Sequence, residues 1–312
     1  MQTENLKKLA NIVSSANNLK NKISKIPSML SAQEQNLLYL MARDYWQGEG
    51  AIFDGGICLG GCTESLALGL AARKNLPAGK YFIWAYELAL ANEQYVIDFI
   101  KNMYGVERKF GESFEDIIIR NLSALPYSDK IFFLPGDALH APYPEKIEIF
   151  FLDLCKLNEV NYRMQQLFSK MIPGKSVLIQ QDYVHAWHPY IHTTMGYLAE
   201  YFEPIGIAWY SSFVFLLKKK IPREILNNNV YDTEPLDKLQ EYLTCYYYLL
   251  DDISRNHLEM ARAFLLYEKS RYNESYDILL NLKNAPPSLQ PWDLKSTSNY
   301  LAGKMDFPAL YE

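Results

Sequence analysis

Long hydrophobic runs are missing from this chain of 312 residues. No stretch reaches the roughly 20 apolar residues of a membrane-spanning helix, so no span is expected. The first 25 residues, MQTENLKKLANIVSSANNLKNKISK, lack the apolar centre of a secretory signal. Cysteine is scarce. Cys58, Cys62, Cys155 and Cys245 include no CxxC pair and make no disulfide framework. A reduced, cytoplasmic chain is the expectation. Clustered positive charge is scarce as well: Lys218–Lys220, at the end of an apolar run, is the one compact basic group, and the net charge is −5. That pattern argues against a nucleic-acid partner.

What is present suffices for a large core. Hydrophobic residues make up 49% of the chain, and the 24 tyrosines suit a Tyr-rich core as well as a sugar-binding surface. Residues 1–28 read as an amphipathic helix with Leu6, Leu9, Ile12 and Val13 at helical spacing, interrupted by Pro27. Ser31 and Glu34 form a capping-box pattern ahead of a helix reaching about Gln47. Strand-like and helix-like segments then alternate. Strands are predicted at Ala51–Asp54, Lys80–Glu87, Lys130–Leu134, Lys146–Asp153 and Ser176–Gln180, with helices between them. A last strand pair, Pro204–Trp209 and Ser212–Leu217, has a connection short enough for an antiparallel hairpin. Such alternation predicts an α/β fold around a doubly wound, mostly parallel sheet.

The domain division expected is a helical cap over 1–48, a ligand-binding α/β domain over 49–221 and a helical appendage over 222–312. Helices are predicted over Leu236–Asp252, Asn256–Lys269 and Tyr272–Leu282, with an irregular tail from Pro286. The appendage would cover the sheet domain or pair copies of the chain into a homo-oligomer.

The chemistry concentrates at strand ends. In AIFDGGICLGGCTESLALGL, the first strand runs into Asp54-x-Gly56-x-x-x-Gly60. The pyrophosphate-cradling GxGxxG has tighter glycine spacing, which disfavours a nicotinamide-dependent oxidoreductase. The wider acidic pattern suits a ligand without phosphates. Glu87 ends the second strand, where an open α/β sheet holds a ribose diol. Its separation from the glycine loop implies an extended intervening helix. Asp137, in LPGDAL, either flanks the ligand's base or caps a turn. Asp153 and Asp182 follow strands four and five. His185, three residues beyond Asp182, is a candidate general base. The spacing of His185, His188 and His192 could suggest zinc, but no cysteine lies near in sequence to complete a tetrahedral set.

The segments DGGICLGG, YELA, PGDAL, IFFLD and VLIQQDY, in this order, resemble class I S-adenosylmethionine-dependent methyltransferases. The resemblance covers roughly residues 30–220 and is nearest to bacterial sugar O-methyltransferases of the macrocin type. It implies a seven-stranded Rossmann-like sheet with an antiparallel last strand. It also implies that Asp54, Gly56 and Gly60 meet the methionine part of S-adenosylmethionine, Glu87 the ribose, and Asp137 with Ala138 the adenine, with Thr63 a further cofactor-binding residue. The implied reaction is O-methylation of a sugar or glycan hydroxyl, with His185, Asp153 and Asp182 on the acceptor side. Such enzymes show DxD after strand four and DD after strand five, holding a divalent cation such as magnesium. Here Asp153 and Asp182 remain as candidate metal ligands, while Cys155 and Gln181 stand at the other two positions. A hard cation wants several oxygen ligands, and this set is two short. The eroded pairs motivate a second reading, a non-catalytic cofactor-binding scaffold with the same fold.

Overall fold

The apolar alternation folds as expected, into seven strands: β1 (Ala51–Gly55), β2 (Ile83–Glu87), β3 (Ile131–Pro135), β4 (Ile147–Leu152), β5 (Val177–Gln180), β6 (Phe202–Ala208) and β7 (Ser212–Leu217). The computed structural model describes residues 2–209 and 211–311. Strand order is β3-β2-β1-β4-β5-β7-β6. The first five strands are mutually parallel, and β7 runs antiparallel to β5. Strand order reverses between β1 and β4, so the crevice at a switch point opens above Asp54. The centre of the sheet is buried on both faces, as parallel strands require, and every residue of β4 is buried. Phe53 of β1 stacks on Tyr86 at 4.3 Å and meets Phe150 edge-on at 4.6 Å.

Among the described residues, thirteen α-helices accompany the strands. They are α1 (Gln2–Asn18), α2 (Ala32–Leu40), α3 (Gly61–Ala71), α4 (Gln94–Tyr104), α5 (Glu115–Ser123), α6 (Asn158–Leu167), α7 (Pro189–Tyr197), α8 (Arg223–Leu226), α9 (Val230–Thr233), α10 (Leu236–Leu243), α11 (Asp252–Glu268), α12 (Tyr272–Lys283) and α13 (Leu294–Lys304). None of the helices described is long and apolar enough to cross a membrane. The capping box forms at α2: Ser31 Oγ accepts from the Glu34 amide at 3.2 Å and Glu34 Oε2 from the Ser31 amide at 2.9 Å. A π-helical turn, Met41–Tyr45, continues α2.

Three segments differ from expectation. The first helix ends at Asn18 rather than near residue 28. Beyond it, Glu64 of α3 accepts from Ser24 Oγ (2.5 Å) and from the amides of Lys25 and Ile26 (2.7 Å each). Those amides are spent on a carboxylate instead of a helical ladder. The helix expected to reach Asp252 stops at Leu243, and Asp251 instead caps the next helix, accepting from the Ser254 amide at 2.7 Å. The tail from Pro286 is not irregular throughout. It carries α13, whose Leu294 and Leu301 join a core with Phe264 and Leu279. The prolines at 286, 287 and 291 precede that helix and do not interrupt it.

Glu64 offers a stability test. Glu64→Ala leaves two backbone donors without their charged acceptor, and a loss of about 2–4 kcal/mol is expected. Urea denaturation would read it, and a loss below about 0.5 kcal/mol would place the anchoring of residues 24–26 elsewhere.

The chain divides into two compact units. A sheet unit comprises Met1–Leu154, Leu167–Gln181 and Glu203–Lys220. Its core includes Leu9, Leu37, Ile52, Ile83, Ile149 and Val214, all fully buried. A helical unit comprises Cys155–Gln166, Asp182–Phe202 and Ile221–Glu312. Its core includes Met260, Phe264, Leu279 and Leu301, with Trp187 packed 4.8 Å from Phe264.

Candidate active site

In the sheet unit, the C-terminal end of β1 carries the first candidate residues. Asp54 is fully buried. Its Oδ2 accepts from Thr63 Oγ1 at 2.6 Å, so Thr63 fixes the carboxylate's rotamer. Its Oδ1 has no hydrogen-bond partner among the described residues. Burial pushes this carboxyl up to about 6, against the opposing pull of Thr63 and the Cys62 thiol, with nearby Glu87 adding to the rise. A buried carboxylate with one unmet oxygen fits a cationic or hydroxyl-bearing ligand group.

Gly56 follows with a left-handed φ of 88°. A Cβ there would stand 2.4 Å from the Asp153 carbonyl oxygen, so the turn hugs the end of β4 and only glycine passes. The amides of Gly56 and Ile57 both donate to the Tyr86 carbonyl, at 2.9 and 3.2 Å. Gly60 occupies the N-cap of α3.

Glu87 lies against the same loop. Its Oε2 accepts from the Cys58 amide at 2.6 Å and its Oε1 from the Ala89 amide at 3.3 Å. Parallel pairing of Asp54 with Ala85 and Gly55 with Tyr86 brings this carboxylate beside the glycine turn. The helix between is not extended, contrary to expectation: α3 ends at Ala71, and the additional residues form a connecting segment before β2.

Asp137 is exposed beyond β3, and its Oδ1 accepts from the Leu139 amide at 2.9 Å, the turn-capping role the sequence left open. The Ala138 carbonyl accepts from the Tyr143 hydroxyl. Tyr86 Oη donates to the Pro142 carbonyl at 2.8 Å, and the Tyr86 and Tyr143 rings lie 5.9 Å apart. These two tyrosines fold the post-β3 segment toward β2, which sequence reasoning did not single out. Asp153 is half-buried after β4, and its amide donates to the Gly55 carbonyl at 2.7 Å. Burial raises the thiols of both Cys58 and Cys62, so neither is a ready nucleophile.

The helical unit holds the second group. Asp182 sits just past β5 with a left-handed φ of 63°, and 8% of the residue is exposed. Its Oδ2 accepts from Lys156 Nζ and lies 3.9 Å from His188 Nε2. Burial would raise the Asp182 carboxyl, but Lys156, aided by His185 and His188, holds it well below the ordinary range. The rings of His185 and His188 are 6.0 Å apart and nearly parallel. His188 Nδ1 shares a hydrogen bond with Tyr190 Oη at 2.8 Å, and burial pushes the imidazole down to about 3. His188 is therefore a poor proton acceptor. His192 is buried with its Nε2 2.5 Å from the Tyr183 carbonyl. His257 and Asp293, both buried, come within 3.7 Å of each other.

Sequence reasoning missed Lys156, whose type and position three residues past Asp153 carried no signal of its partner. The divalent cation implied by the resemblance does not fit this donor set. Lys156 takes the Asp182 carboxylate, and no three His, Cys, Asp or Glu side chains among the described residues are grouped to hold a metal.

The strand order, with antiparallel β7 between β5 and β6, settles the architecture. This is the seven-stranded Rossmann-like α/β sheet with an antiparallel strand near its end that the resemblance implied. Among solved structures, the chain is similar to the O-methyltransferase NovP at 14% identity, over 70% of this chain and 100% of that one, with a TM-score of 0.42. It is also similar to coclaurine N-methyltransferase bound to N-methylheliamine and SAH, at 10% identity over 98% of this chain and 81% of that one, with a TM-score of 0.28. No family model and no curated protein matches the chain. Within this sheet, Asp54, Glu87, Asp137 and Asp153 all follow or end parallel strands on one edge, where open sheets bind their ligands. A cavity of about 340 Å³ lined by Arg73, Lys74, Phe82, Tyr127 and Lys130 lies at the other ends of β2 and β3. Its Arg73 guanidinium is spent on the carbonyls of Ala42, Arg43 and Trp46.

Proposed function

We propose that the chain is an S-adenosylmethionine-dependent methyltransferase acting on a hydroxyl of a sugar or glycan, in surface-polysaccharide or secondary-metabolite assembly. One observation carries the reading. Asp54 and Glu87 flank, from adjacent strand ends, a glycine turn too widely spaced to cradle a pyrophosphate, and Asp54 keeps one oxygen unmet. S-adenosylmethionine, when bound, supplies an electrophilic methyl on a sulfonium. Asp54 receives the ammonium of the methionine part, with Thr63 holding the carboxylate in place. Gly56 and Gly60 let the backbone approach. Glu87 takes the ribose hydroxyls, and Asp137 with Ala138 borders the adenine. On the acceptor side, His185 takes the hydroxyl proton, with Asp182 and Asp153 orienting the acceptor. Most of the acceleration comes from alignment of donor and acceptor.

Calorimetry with S-adenosylmethionine tests the first half, and absence of binding at millimolar cofactor would sink it. The second half is read as S-adenosylhomocysteine released with a panel of sugar acceptors. His185→Gln is expected to lower turnover by about 10²–10⁴-fold with cofactor affinity unchanged. The two absent carboxylates, at Cys155 and Gln181, favour one other reading, a cofactor-binding scaffold. Cofactor binding without turnover on any acceptor would select it.

A further inference from the structure

We infer that the Lys156 ammonium is a built-in cation that replaces the divalent ion on the acceptor side. Asp182 is the carboxylate this depends on. It is nearly buried, and its Oδ2 already receives the Lys156 ammonium while facing His188 Nε2 at 3.9 Å. A divalent ion at that oxygen would displace the ammonium or sit against it, two like charges at contact. The flanking sequence points the same way. Buried Cys155 and neutral Gln181 stand where the resemblance implies carboxylates, so the negative charge to be balanced is two units smaller than in that pattern. An ammonium on a four-carbon stem supplies one positive charge, with three donors for one carboxylate oxygen and other acceptors. The left-handed backbone of Asp182, φ 63°, belongs to the same arrangement, since it sets the direction in which the carboxylate leaves the chain. The consequence is an acceptor site that keeps its electrostatic balance without recruiting an ion from solution.

The inference rests on the methyltransferase reading for its consequence, a metal-independent transfer, and the two fail separately. Lack of cofactor binding sinks that reading alone. For this one the probe is Mn²⁺, which shares the oxygen preference of magnesium and is followed by the spin-resonance signal of the free ion. The full chain is titrated to about 1 mM, the weak limit of carboxylate sites. The measured quantity is the uptake lost on Asp182→Asn. None is expected. Melting midpoints of Lys156→Met, Asp182→Asn and the double variant form the second arm. Lys156→Met is expected to lower the midpoint by about 3 °C or more, and Asp182→Asn to remove most of that penalty in the double variant. Asp182-dependent Mn²⁺ uptake by the unaltered chain would overturn the inference. Strict additivity of the two substitutions would overturn it as well, since the ammonium would then not be the partner that Asp182 relies on.

Discussion

Asp54→Asn is expected to weaken S-adenosylmethionine binding by about 10–100-fold, the worth of one charged hydrogen bond, while making the empty protein more stable at neutral pH. The two effects have one origin. Burial raises the folded carboxyl from 3.8 to about 6. Between those values the folded chain retains a proton that the unfolded chain has released. Stability therefore falls as pH rises through that window and stays low above it. At about 1.4 kcal/mol per pH unit, the cost at neutral pH is roughly 3 kcal/mol. Asparagine has no charge to bury and escapes the cost, yet it cannot balance an ammonium. Melting scans near pH 4 and pH 7.5 check the sign. The variant should match the parent at the lower pH and exceed it at the higher one. An equal difference at both would show that the change acts through packing, and undiminished cofactor affinity would remove Asp54 from the binding site. The unmet Oδ1 leaves the desolvation cost of this buried carboxylate uncompensated.

Gly196→Ala is expected to be the most damaging single-methyl change in the helical unit. A Cβ at Gly196 would lie 2.0 Å from the carbonyl oxygen of Tyr242, 2.5 Å from its carbonyl carbon and 2.6 Å from its Cα. These are backbone atoms and cannot rotate aside. Helices α7 and α10 would have to separate, and every residue from Pro189 to Gly196 is buried. A loss of about 3 kcal/mol or more is expected, at the high end for overpacking. Gly303 in α13 is the matched control, because a Cβ there meets nothing within 4 Å. Gly303→Ala should be neutral or stabilise by up to about 1 kcal/mol through helix propensity. Denaturant midpoints of the two variants make the comparison. Similar losses at both would mean that helix geometry, and not the Gly196–Tyr242 approach, governs these positions.

The strands and their order of appearance were legible because each is a short, largely apolar run, and the first four are closed by glycine, proline or an acidic residue. KIEIFFLD reads as a strand from its unbroken apolar centre, and Ile147–Leu152 is buried throughout. The parallel sheet followed from the intervening helices. Boundaries were less legible wherever a side chain captured backbone amides across a long separation. Glu64 does so at residues 24–26, and Glu148 does so at 47–50, accepting from Gln47, Glu49 and Gly50 at 2.5, 2.8 and 3.2 Å. No local periodicity reports such a partner. The helix α13 was hidden by its preceding prolines and by a polar composition whose apolar positions gain meaning only against α11 and α12.

The candidate site divides along the same line. The placement of Asp54, Gly56, Gly60 and Glu87 at a strand end or turn was visible from sequence, because it follows from residue type and spacing. The histidines were visible and their roles were not. His185, His188 and His192 share one motif, yet His192 is turned to the Tyr183 carbonyl while His188 faces Asp182. Lys156 was not visible at all, since its pairing with a carboxylate 26 residues away depends on where β5 releases the chain. The sequence by itself determined the sheet, its acidic strand ends and the glycine turn, because these depend on neighbours a few residues apart. Only the tertiary structure decided which charges meet. Burial and pairing of Asp54, Asp182 and Lys156 depend on segments distant in the chain, and an ion pair has no sequence period to reveal it.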